Sequence, residues 1–461
     1  GRAMKIIICG AGMVGSNIAK QLAREGNDVT VIDRTPELIQ RISDSIDVKG
    51  LVGMASYPDT LERAGAQDCD MLIAVTFADE VNMVACQVAH SLFHVPTKIA
   101  RVRAQAYLNP EWSDLFSTDH LPIDVIISPE VEVARAIMRR LEVPGALDMI
   151  PFADGRVRTI GVRLGEDCPV VHTPLRQLTD LFPDLKAVVC GIVRNDKLVV
   201  PHGDDQLFPG DEIYFIADTQ QVQRAMGLFG HEEKEARRLI IVGAGNIGLF
   251  LARQMEQTHP GVRIKLIERD LAHAEIAADR LHHSVVLHGD ALDRELLDEA
   301  NISGTEAIVA LTNDDQVNIL ASLLAKRAGC QRAVALVNNE DYRGLITSLG
   351  IDVVVNPRGT TVSTILQYVR RGRIRQVYSL RDGTAEIIEA EALKTSGLVG
   401  KNLREMDIPD GIIVGAIVRR GEVVLPRGDT VIEAGDRVIM FAMSEMVRHV
   451  EKMFAVRLEY F

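Results

Sequence analysis

Short runs of hydrophobic residues alternate with longer amphipathic stretches along the first part of the chain. The short runs span residues 5–9, 29–32, 71–75, 99–103 and 124–127, and their length and β-branched content are typical of strands buried on both faces. Apolar residues recur at helical spacing in 16–25, 35–43 and 79–92. Strands and helices that alternate in this way predict a parallel sheet covered by helices.

Residues 144–230 follow a different pattern. Strand-like runs lie at 157–164, 187–193, 197–200 and 212–216, and two short helical stretches lie near 175–181 and 220–229. Gly-Asp pairs separate several of these runs, which is typical of turns between strands. This part of the chain therefore predicts a small α+β module with an antiparallel sheet.

Both patterns return later in the chain. The glycine-rich segment at 10–15 is repeated at 243–248, and the segment 201–204 (Pro-His-Gly-Asp) is repeated 225 residues later as Pro-Arg-Gly-Asp at 426–429. Repeats that keep their order indicate a duplication. We therefore divide the chain into four lobes, N1 (residues 4–143), C1 (144–230), N2 (237–371) and C2 (373–461), with Gly372 at the last join. The predicted class is α/β, with two doubly wound parallel-sheet domains that are each followed by a small α+β domain.

Each N lobe follows its first strand with the spacing Gly-x-Gly-x-x-Gly. In N1, Gly10 permits a tight turn, Gly12 lets backbone amides approach a pyrophosphate, and Gly15 lets the next helix pack closely. Such a turn also occurs without a ligand, but Asp33 lies 18 residues after Gly15, where a carboxylate can accept hydrogen bonds from a ribose diol. These residues predict a Rossmann-type nucleotide site at a helix N-terminus. N2 repeats the set as Gly243, Gly245, Gly248 and Glu268.

The acidic residue of each set also bears on the choice of nucleotide. Asp33 and Glu268 would repel a 2′-phosphate, which favours NAD(H) over NADP(H). Arg34 and Arg269 follow them directly in the sequence and oppose that preference.

Residues at the ends of later strands make the two predicted sites different. Arg101 ends a strand of N1 and could pair with a phosphate, or else with Asp79 or Glu80. N2 has Leu336 or Asn338 in this neighbourhood, so the two sites are not expected to be equivalent. A threonine at the carboxyl end of the preceding strand belongs to each predicted site: Thr76 and Thr312.

Composition argues against several classes of protein. The net charge of −13 and the aromatic fraction of 4% argue against nucleic-acid binding, which needs a basic surface and stacking side chains. Six scattered cysteines without a CxxC pair are typical of reduced, buried thiols. No apolar run approaches the ~18–20 residues that span a bilayer, and the start lacks a secretory signal, so we expect a cytoplasmic protein.

Catalytic machinery is not apparent in the sequence, which contains no HExxH, GxSxG or GxxxxGK[ST] motif. C1 and C2 are too small and too alike to provide the proton donor and substrate clamp of a dehydrogenase. Such a duplicated module favours a regulatory or architectural role, so we expect no enzymatic activity. The alternative is an NAD-dependent oxidoreductase with an unidentified small substrate.

Two clusters of arginine and a pair of histidines stand outside the predicted sites. The arginines close the helical stretches after the N lobes, where they fit either helix C-termini or a contact surface for a partner or for phosphates. His282-His283 is predicted to be a helical surface pair. The arginine clusters are Arg139-Arg140 and, in the second half, Arg370, Arg371, Arg373 and Arg375.

The order N1–C1–N2–C2 resembles the RCK (KTN) family, in particular the cytosolic regulatory subunits of bacterial Trk potassium-uptake systems. The segments 10–15, 66–76, 80–89 and 243–248 carry this resemblance. It implies binding of NAD(H) or ATP/ADP and assembly as a homotetrameric ring. It also implies docking beneath a TrkH-type membrane potassium channel subunit at the inner face of the membrane, which nucleotides would gate through the ring.

The resemblance also implies which residues contact the nucleotide. In N1 they are Gly10, Ala11, Gly12, Met13, Val14, Asp33, Met54, Thr76, Phe77 and Arg101. In N2 they are Gly243, Ala244, Gly245, Asn246, Ile247, Glu268, Asp290, Ala291, Thr312 and Asn313. Some single-RCK relatives carry an arginine inside the first glycine turn. This chain has Met13 and Asn246 there, so an arginine–phosphate pair is not implied at that point.

Overall fold

The computed structural model describes residues 3–370, 374–381 and 383–455. The chain forms two compact units, one of residues 1–132 with 358–365 and one of residues 133–357 with 366–461. The predicted join at Gly372 and the neighbouring Arg371 and Arg373 lie outside the described residues.

The first unit contains the parallel sheet of N1. Its strands are β1 (Lys5–Cys9), β2 (Asp28–Asp33), β3 (Lys49–Val52), β4 (Met71–Ala74), β5 (Thr97–Arg101) and β6 (Val125–Ile127). The helices are α1 (Met13–Arg24), α2 (Pro36–Ser45), α3 (Pro58–Arg63), α4 (Asp79–Phe93) and α5 (Pro129–Glu142), the last of which continues into the second unit. The strand order is β3-β2-β1-β4-β5-β6, and every pairing is parallel. The predicted parallel sheet is confirmed.

C1 lies in the second unit and forms an antiparallel sheet. Its strands are β7 (Ala146–Phe152), β8 (Val157–Arg163), β9 (Ala187–Arg194), β10 (Lys197–Val199) and β11 (Glu212–Asp218), in the order β10-β9-β11-β8-β7. Its helices are α6 (Leu175–Leu181) and α7 (Val222–Leu228). This confirms the small α+β module, although the sequence pattern missed β7, in which Asp148 and Pro151 interrupt the apolar run.

N2 repeats the topology of N1. Its strands are β12 (Arg238–Val242), β13 (Arg263–Glu268), β14 (Val285–His288), β15 (Ala307–Ala310), β16 (Arg332–Leu336) and β17 (Val353–Val355). Its helices are α8 (Asn246–Thr258), α9 (Leu271–Arg280), α10 (Arg294–Glu299), α11 (Asp315–Arg327), α12 (Arg343–Leu349) and α13 (Pro357–Val369). The order β14-β13-β12-β15-β16-β17 matches that of N1 strand for strand. Helix α5 packs on this lobe, because Val133, Ala134 and Ile137 belong to its core.

C2 repeats the sheet of C1 and packs against it. Its elements are β18 (Ile374–Leu380), β19 (Ala385–Glu391), β20 (Ile412–Arg419), β21 (Glu422–Val424), β22 (Arg437–Met443) and α14 (Val447–Met453). Phe152 and Ile216 of C1 share one hydrophobic core with Ile387 and Phe441 of C2. C2 was expected to copy C1, but the segment 392–411, which the structure describes in full, contains no helix like α6.

The expected placement at a helix C-terminus is confirmed for the first cluster, because Arg139 and Arg140 lie in the last turn of α5. Arg140 donates from Nη2 to Asp148 Oδ1 at 3.1 Å. Arg370 donates from Nε to Glu386 Oε1 at 2.9 Å, with both side chains almost fully buried. These two ion pairs join Arg140, in the last turn of α5, to β7 of C1 and Arg370, which follows α13, to β19 of C2.

Two smaller expectations have clear outcomes. His282 and His283 are exposed, as predicted, but they follow α9 instead of lying within a helix. All six cysteines are buried and free. Within the described residues, no group of His, Cys, Asp or Glu could hold a metal ion, and no helix is long and apolar enough to cross a membrane.

Candidate functional site

Two of the three glycines in the N1 turn are required by the fold itself. Gly10 has φ +110°, and a Cβ there would lie 3.0 Å from the carbonyl oxygen of Val75. A Cβ on Gly15 would lie 1.8 Å from the carbonyl oxygen of Gly10, a distance that no side chain can occupy. These glycines allow the turn between β1 and α1, and they would be needed with or without a ligand.

The fold does not require glycine at position 12. Its φ is −70°, which any residue adopts, and no atom lies within 4 Å of a Cβ built there. It is the N-cap of α1, and no side chain among the described residues caps that helix. The missing side chain therefore leaves open space at the N-terminus of α1, which is where a helix can receive an anion.

The turn of N2 repeats this division. Gly243 has φ +104°, and a Cβ on Gly248 would lie 1.9 Å from its carbonyl oxygen. Gly245 has φ −71° and open space around the position of a Cβ, and no described side chain caps α8. The neighbouring helix α11 is capped by Asp314, whereas α4, its counterpart in N1, begins after Ala78 without a cap from any described side chain.

A carboxylate lies beside each turn. In N1, Asp33 accepts hydrogen bonds from Ala11 N and Thr35 N, each at 2.8 Å. In N2, Glu268 accepts from Ala244 N at 2.5 Å and from Asp270 N at 3.0 Å. Since each carboxylate oxygen can accept a second hydrogen bond, both groups keep the capacity to bind a ribose diol.

A buried asparagine fixes the threonine at the end of β4. Asn82 is fully buried; its Oδ1 accepts from Thr76 N at 2.9 Å and from Thr76 Oγ1 at 2.7 Å. Its Nδ2 donates to the carbonyl oxygens of Thr76 (3.1 Å) and Arg101 (2.9 Å). Asn318 makes the same four bonds to Thr312 and Leu336 in N2. This role of the asparagine was not predicted, although the spacing of Thr and Asn, which is the same in both halves of the chain, was a signal for it.

Arg101 is anchored by backbone atoms and does not pair with Asp79 or Glu80. Its Nη2 donates to the carbonyl oxygens of Val75 and Thr76, both at 2.9 Å. Burial first, and then the charge of Arg103, lower the pKa of Arg101 to about 10. Asp79 instead accepts from the backbone N–H groups of Arg103 and Ala104. The guanidinium of Arg101 therefore stays without a carboxylate partner among the described hydrogen bonds and ion pairs.

The remaining predicted residues lie at the same edge of their sheets. Phe77 and Met13 are 79% and 58% exposed, while Met54 is half-buried in the loop after β3. In N2, Asn246 and Asn313 are exposed, Asp290 is half-buried, and Ala291 is buried. All of them follow the carboxyl ends of strands, which is where open α/β sheets bind ligands.

Known proteins share this arrangement of lobes. The family model described as the TrkA-N domain matches residues 6–129 and 239–357, and the model described as the TrkA-C domain matches residues 160–230 and 387–455. The chain belongs to the TrkA family. These matches cover most of the chain in the order N–C–N–C, which confirms the resemblance noted in the sequence.

Full-length relatives support the same assignment. The Trk system potassium uptake protein TrkA of Azorhizobium caulinodans is 55% identical over 99% of this chain and 100% of its own length. Proteins of that name from Halomonas elongata and Haemophilus influenzae are 43% and 38% identical, over 99% and 98% of this chain and 100% and 98% of their own.

Solved structures share the fold at low sequence identity. The crystal structure of the GsuK RCK domain has a TM-score of 0.59 at 18% identity, covering 98% of this chain and 95% of its own. The GsuK channel bound to NAD has a TM-score of 0.59 at 17% identity, covering 98% and 79%. Together with the observed sheets, these likenesses confirm the predicted fold class.

Proposed function

We propose that this TrkA-family chain is a cytoplasmic nucleotide sensor that gates a membrane potassium channel of the TrkH type. The observation that carries the proposal is the contrast within each glycine turn. Gly12 and Gly245 have no role in the fold, yet both leave a helix N-terminus open beside a carboxylate. We therefore infer that each N lobe binds a nucleotide at this opening.

We infer that the ligand is NAD(H), with ATP or ADP as further ligands of the same sites. The pyrophosphate would lie at the open end of each helix, beside Ala11 to Val14 in N1 and Ala244 to Ile247 in N2, because a helix N-terminus favours an anion. Asp33 and Glu268 would bind the ribose diol. The GsuK channel, which shares the fold, is described with NAD bound.

Regulation accounts for the site better than oxidoreductase chemistry. A dehydrogenase needs an acid or base free to exchange a proton with its substrate. Here Asp33, Asp79, Glu268 and Asp315 all accept hydrogen bonds from backbone N–H groups, so they shape the turns and loops of the site. We infer that the nucleotide is a signal and that the chain is not an enzyme.

Gating would follow from a difference in affinity between two conformations. We infer that four copies form a ring attached to the channel at the inner face of the membrane. A nucleotide shifts the equilibrium of such a ring only if it binds the two conformations with different affinities. Small rotations of the lobes would then add up to a change in the diameter of the ring, which would pull on the channel.

Potassium flux through reconstituted channel and purified chain tests this proposal. We expect ATP, ADP, NAD⁺ or NADH to change the flux. Gly12→Asp and Gly245→Asp should each remove the response that depends on one lobe, because aspartate is well tolerated at an N-cap while its charge repels a phosphate. Because like charges in contact cost several kcal/mol, we expect each substitution to weaken nucleotide binding to its lobe by about 100-fold or more.

Two results would contradict the proposal. Flux that ignores all four nucleotides would rule out gating, and steady oxidation of NADH by the purified chain with a small substrate would favour the oxidoreductase. Gly261→Asp is the matched control, since Gly261 also has open space around its Cβ position but lies in the loop between α8 and β13. It should respond to nucleotides like the parent protein.

A further inference from the structure

Three residues at the carboxyl edge of the N1 sheet each carry a buried polar atom that has no partner among the described residues. Nε of Arg101, Oγ of Ser128 and Oε2 of Glu130 have no hydrogen-bond partner within the part of the chain that the structure describes. Each of these residues is only 8% exposed. Because a buried polar atom without a partner is costly and uncommon, a group of three indicates a place that something else completes.

The sheet brings these residues together. Arg101, the last residue of β5, pairs in register with Ile127 of β6, and Ser128 follows directly. This pairing includes the hydrogen bond from Val102 N to Ile127 O at 2.9 Å. Glu130 lies in the first turn of α5, and its other oxygen, Oε1, accepts from Arg103 Nε at 3.3 Å. The charge of Glu130 also acts on Arg101. The three residues thus lie at one edge of the sheet, at the carboxyl ends of β5 and β6 and the start of α5, and we call them the cluster.

The position of the cluster relates it to the second half of a dinucleotide. In a doubly wound sheet, the two nucleosides of a dinucleotide lie on opposite sides of the point where the strand order reverses. In N1 that point is between β1 and β4. Asp33, on β2, serves the adenosine side, so the strands β4, β5 and β6 face the other nucleoside.

We propose that Arg101, Ser128 and Glu130 form a subsite that recognises the carboxamide of a nicotinamide nucleotide bound to N1. This inference rests on the proposed function, namely that N1 binds a nucleotide at its glycine turn. It adds two specificity-determining residues, Ser128 and Glu130, to the site.

The chemistry of the three atoms favours a carboxamide over a phosphate. A carboxamide carries both a donor NH₂ group and an acceptor oxygen. Its NH₂ group would donate to Glu130 Oε2, and its oxygen would accept from Arg101 Nε and Ser128 Oγ. A phosphate only accepts, and it would bring its negative charge against the carboxylate of Glu130.

Two exposed side chains, those of Phe77 and Arg103, lie next to members of the proposed subsite. The guanidinium of Arg103 lies 5.9 Å from the ring centre of Phe77, and that of Arg101 lies 5.5 Å from it. The side chain of Arg103 is 46% exposed, so its contact with Glu130 is a surface ion pair of the kind that breaks easily. When Arg103 moves away, Glu130 becomes accessible and the ring of Phe77 offers a flat face to nicotinamide.

N2 lacks the central member of this cluster. The amide of Asn318 donates to the carbonyl oxygen of Leu336 as that of Asn82 does to Arg101, so Leu336 occupies the position of Arg101. An apolar side chain offers no donor to a carboxamide. The proposal is therefore specific to N1, and each N lobe can be tested against the other.

Calorimetry on the full chain with Gly245→Asp, which leaves N1 as the open site, tests the proposal with three ligands. These are NAD⁺, nicotinic acid adenine dinucleotide, which has a carboxylate in place of the carboxamide, and ADP-ribose, which lacks the nicotinamide. We expect NAD⁺ to bind at least about tenfold more tightly than the other two, as hydrogen bonds to charged groups predict.

Variants of the cluster then separate recognition from structure. Glu130→Gln should reverse the preference, since a glutamine NH₂ group can donate to the carboxylate of the nicotinic acid analogue. Ser128→Ala should weaken NAD⁺ severalfold and leave ADP-ribose unchanged. Glu111→Gln, at an exposed position of N1, is the control and should leave all three affinities as they are.

The failures of the two proposals can be told apart. If all three ligands bind N1 equally and Glu130→Gln changes none of them, N1 binds nucleotides but the carboxamide subsite is wrong, and water completes the cluster. If no ligand binds with Gly245→Asp while NAD⁺ binds with Gly12→Asp, N1 is not a nucleotide site and both proposals fail for that lobe.

Discussion

N1 and N2 are two copies of one fold. They share the groups that hydrogen-bond to the backbone of the site, and they differ at a residue that would contact the ligand. Both have the same glycine turn, a carboxylate bonded to that turn, and a buried asparagine with four equivalent hydrogen bonds. They differ at the carboxyl end of the next strand, where Arg101 in N1 corresponds to Leu336 in N2. The comparison separates the residues that make a nucleotide-binding fold from those that select a nucleotide.

The same comparison assigns different roles to glycines within one motif. A side chain at Gly10 or Gly15 would clash with the backbone of N1. A side chain at Gly12 would only fill the open space in front of α1. Because N2 divides its glycines in the same way, the motif combines a structural requirement with a binding requirement. Substitutions at the two kinds of position should therefore have different consequences.

The largest effect is expected from alanine at the third glycine of each turn. Gly15→Ala and Gly248→Ala place a methyl group within 2 Å of a carbonyl oxygen, so helix and strand must separate. We expect a loss of about 3 kcal/mol or more in the free energy of unfolding of the affected lobe. The chain has a single tryptophan, Trp112 in N1, so urea unfolding followed by its fluorescence reports on that lobe, and circular dichroism reports on all four.

Gly12→Ala and Gly245→Ala are the matched controls for that experiment. Their Cβ atoms meet open space, so stability should stay within about 0.5 kcal/mol of the parent, as is usual away from the core. Equal losses at Gly12 and Gly15 would mean that all three glycines serve the fold, and the assignment of Gly12 to a ligand would lose its basis.

The next effect concerns the buried asparagines. Asn82→Ala and Asn318→Ala each leave a threonine N–H and two carbonyl oxygens without their partner, and such losses cost about 1–3 kcal/mol. We expect nearly equal destabilisation in the two lobes, measured by unfolding in urea. A large effect in one lobe alone would contradict the view that the asparagine belongs to the shared backbone framework.

Much of this framework could be predicted from the sequence, because it depends on local patterns. Buried strands, the glycine spacing and the acidic residue at the end of β2 are local signals, and they returned at the same spacing in the second half. The strand β3 was missed because KGLV is short and only half-buried at the edge of the sheet. A strand of that kind has no continuous apolar run to reveal it.

Contacts between distant elements could not be predicted in the same way. Arg370 lies at the end of a helix, and its partner Glu386 lies on the second strand of the following sheet, so only the folded chain brings them together. The unpartnered atoms of Ser128 and Glu130 depend on the register of β5 with β6. Arg101 was assigned to the site from its place in the sequence, but its backbone anchors and missing carboxylate partner appear only in three dimensions.

A smaller effect is expected when the ribose-binding carboxylate is removed. Asp33→Ala should weaken NADH severalfold at N1, since one charge-assisted hydrogen-bonding group is lost, and Glu268→Ala should do the same at N2. Calorimetry in the Gly245→Asp and Gly12→Asp backgrounds, respectively, measures each lobe alone. Asp59→Ala, at an exposed carboxylate of N1, is the control. Unchanged affinity for NADH would remove Asp33 from the site.

The smallest effect on stability is expected from Arg101→Leu, which gives N1 the residue found in N2. This variant also tests most directly whether Arg101 causes the difference in ligand selection between the two lobes. Burial lowers the pKa of Arg101, so folding disfavours its charged form, and exchanging a buried charge for an apolar side chain is often neutral or stabilising. The two hydrogen bonds to backbone carbonyls are lost in return. We therefore expect the free energy of unfolding, followed by Trp112 fluorescence, to change by no more than about 1 kcal/mol, while NAD⁺ loses its advantage over ADP-ribose. A variant that unfolds readily would make Arg101 a structural residue of N1, and the difference between the two lobes would then reflect packing instead of ligand selection.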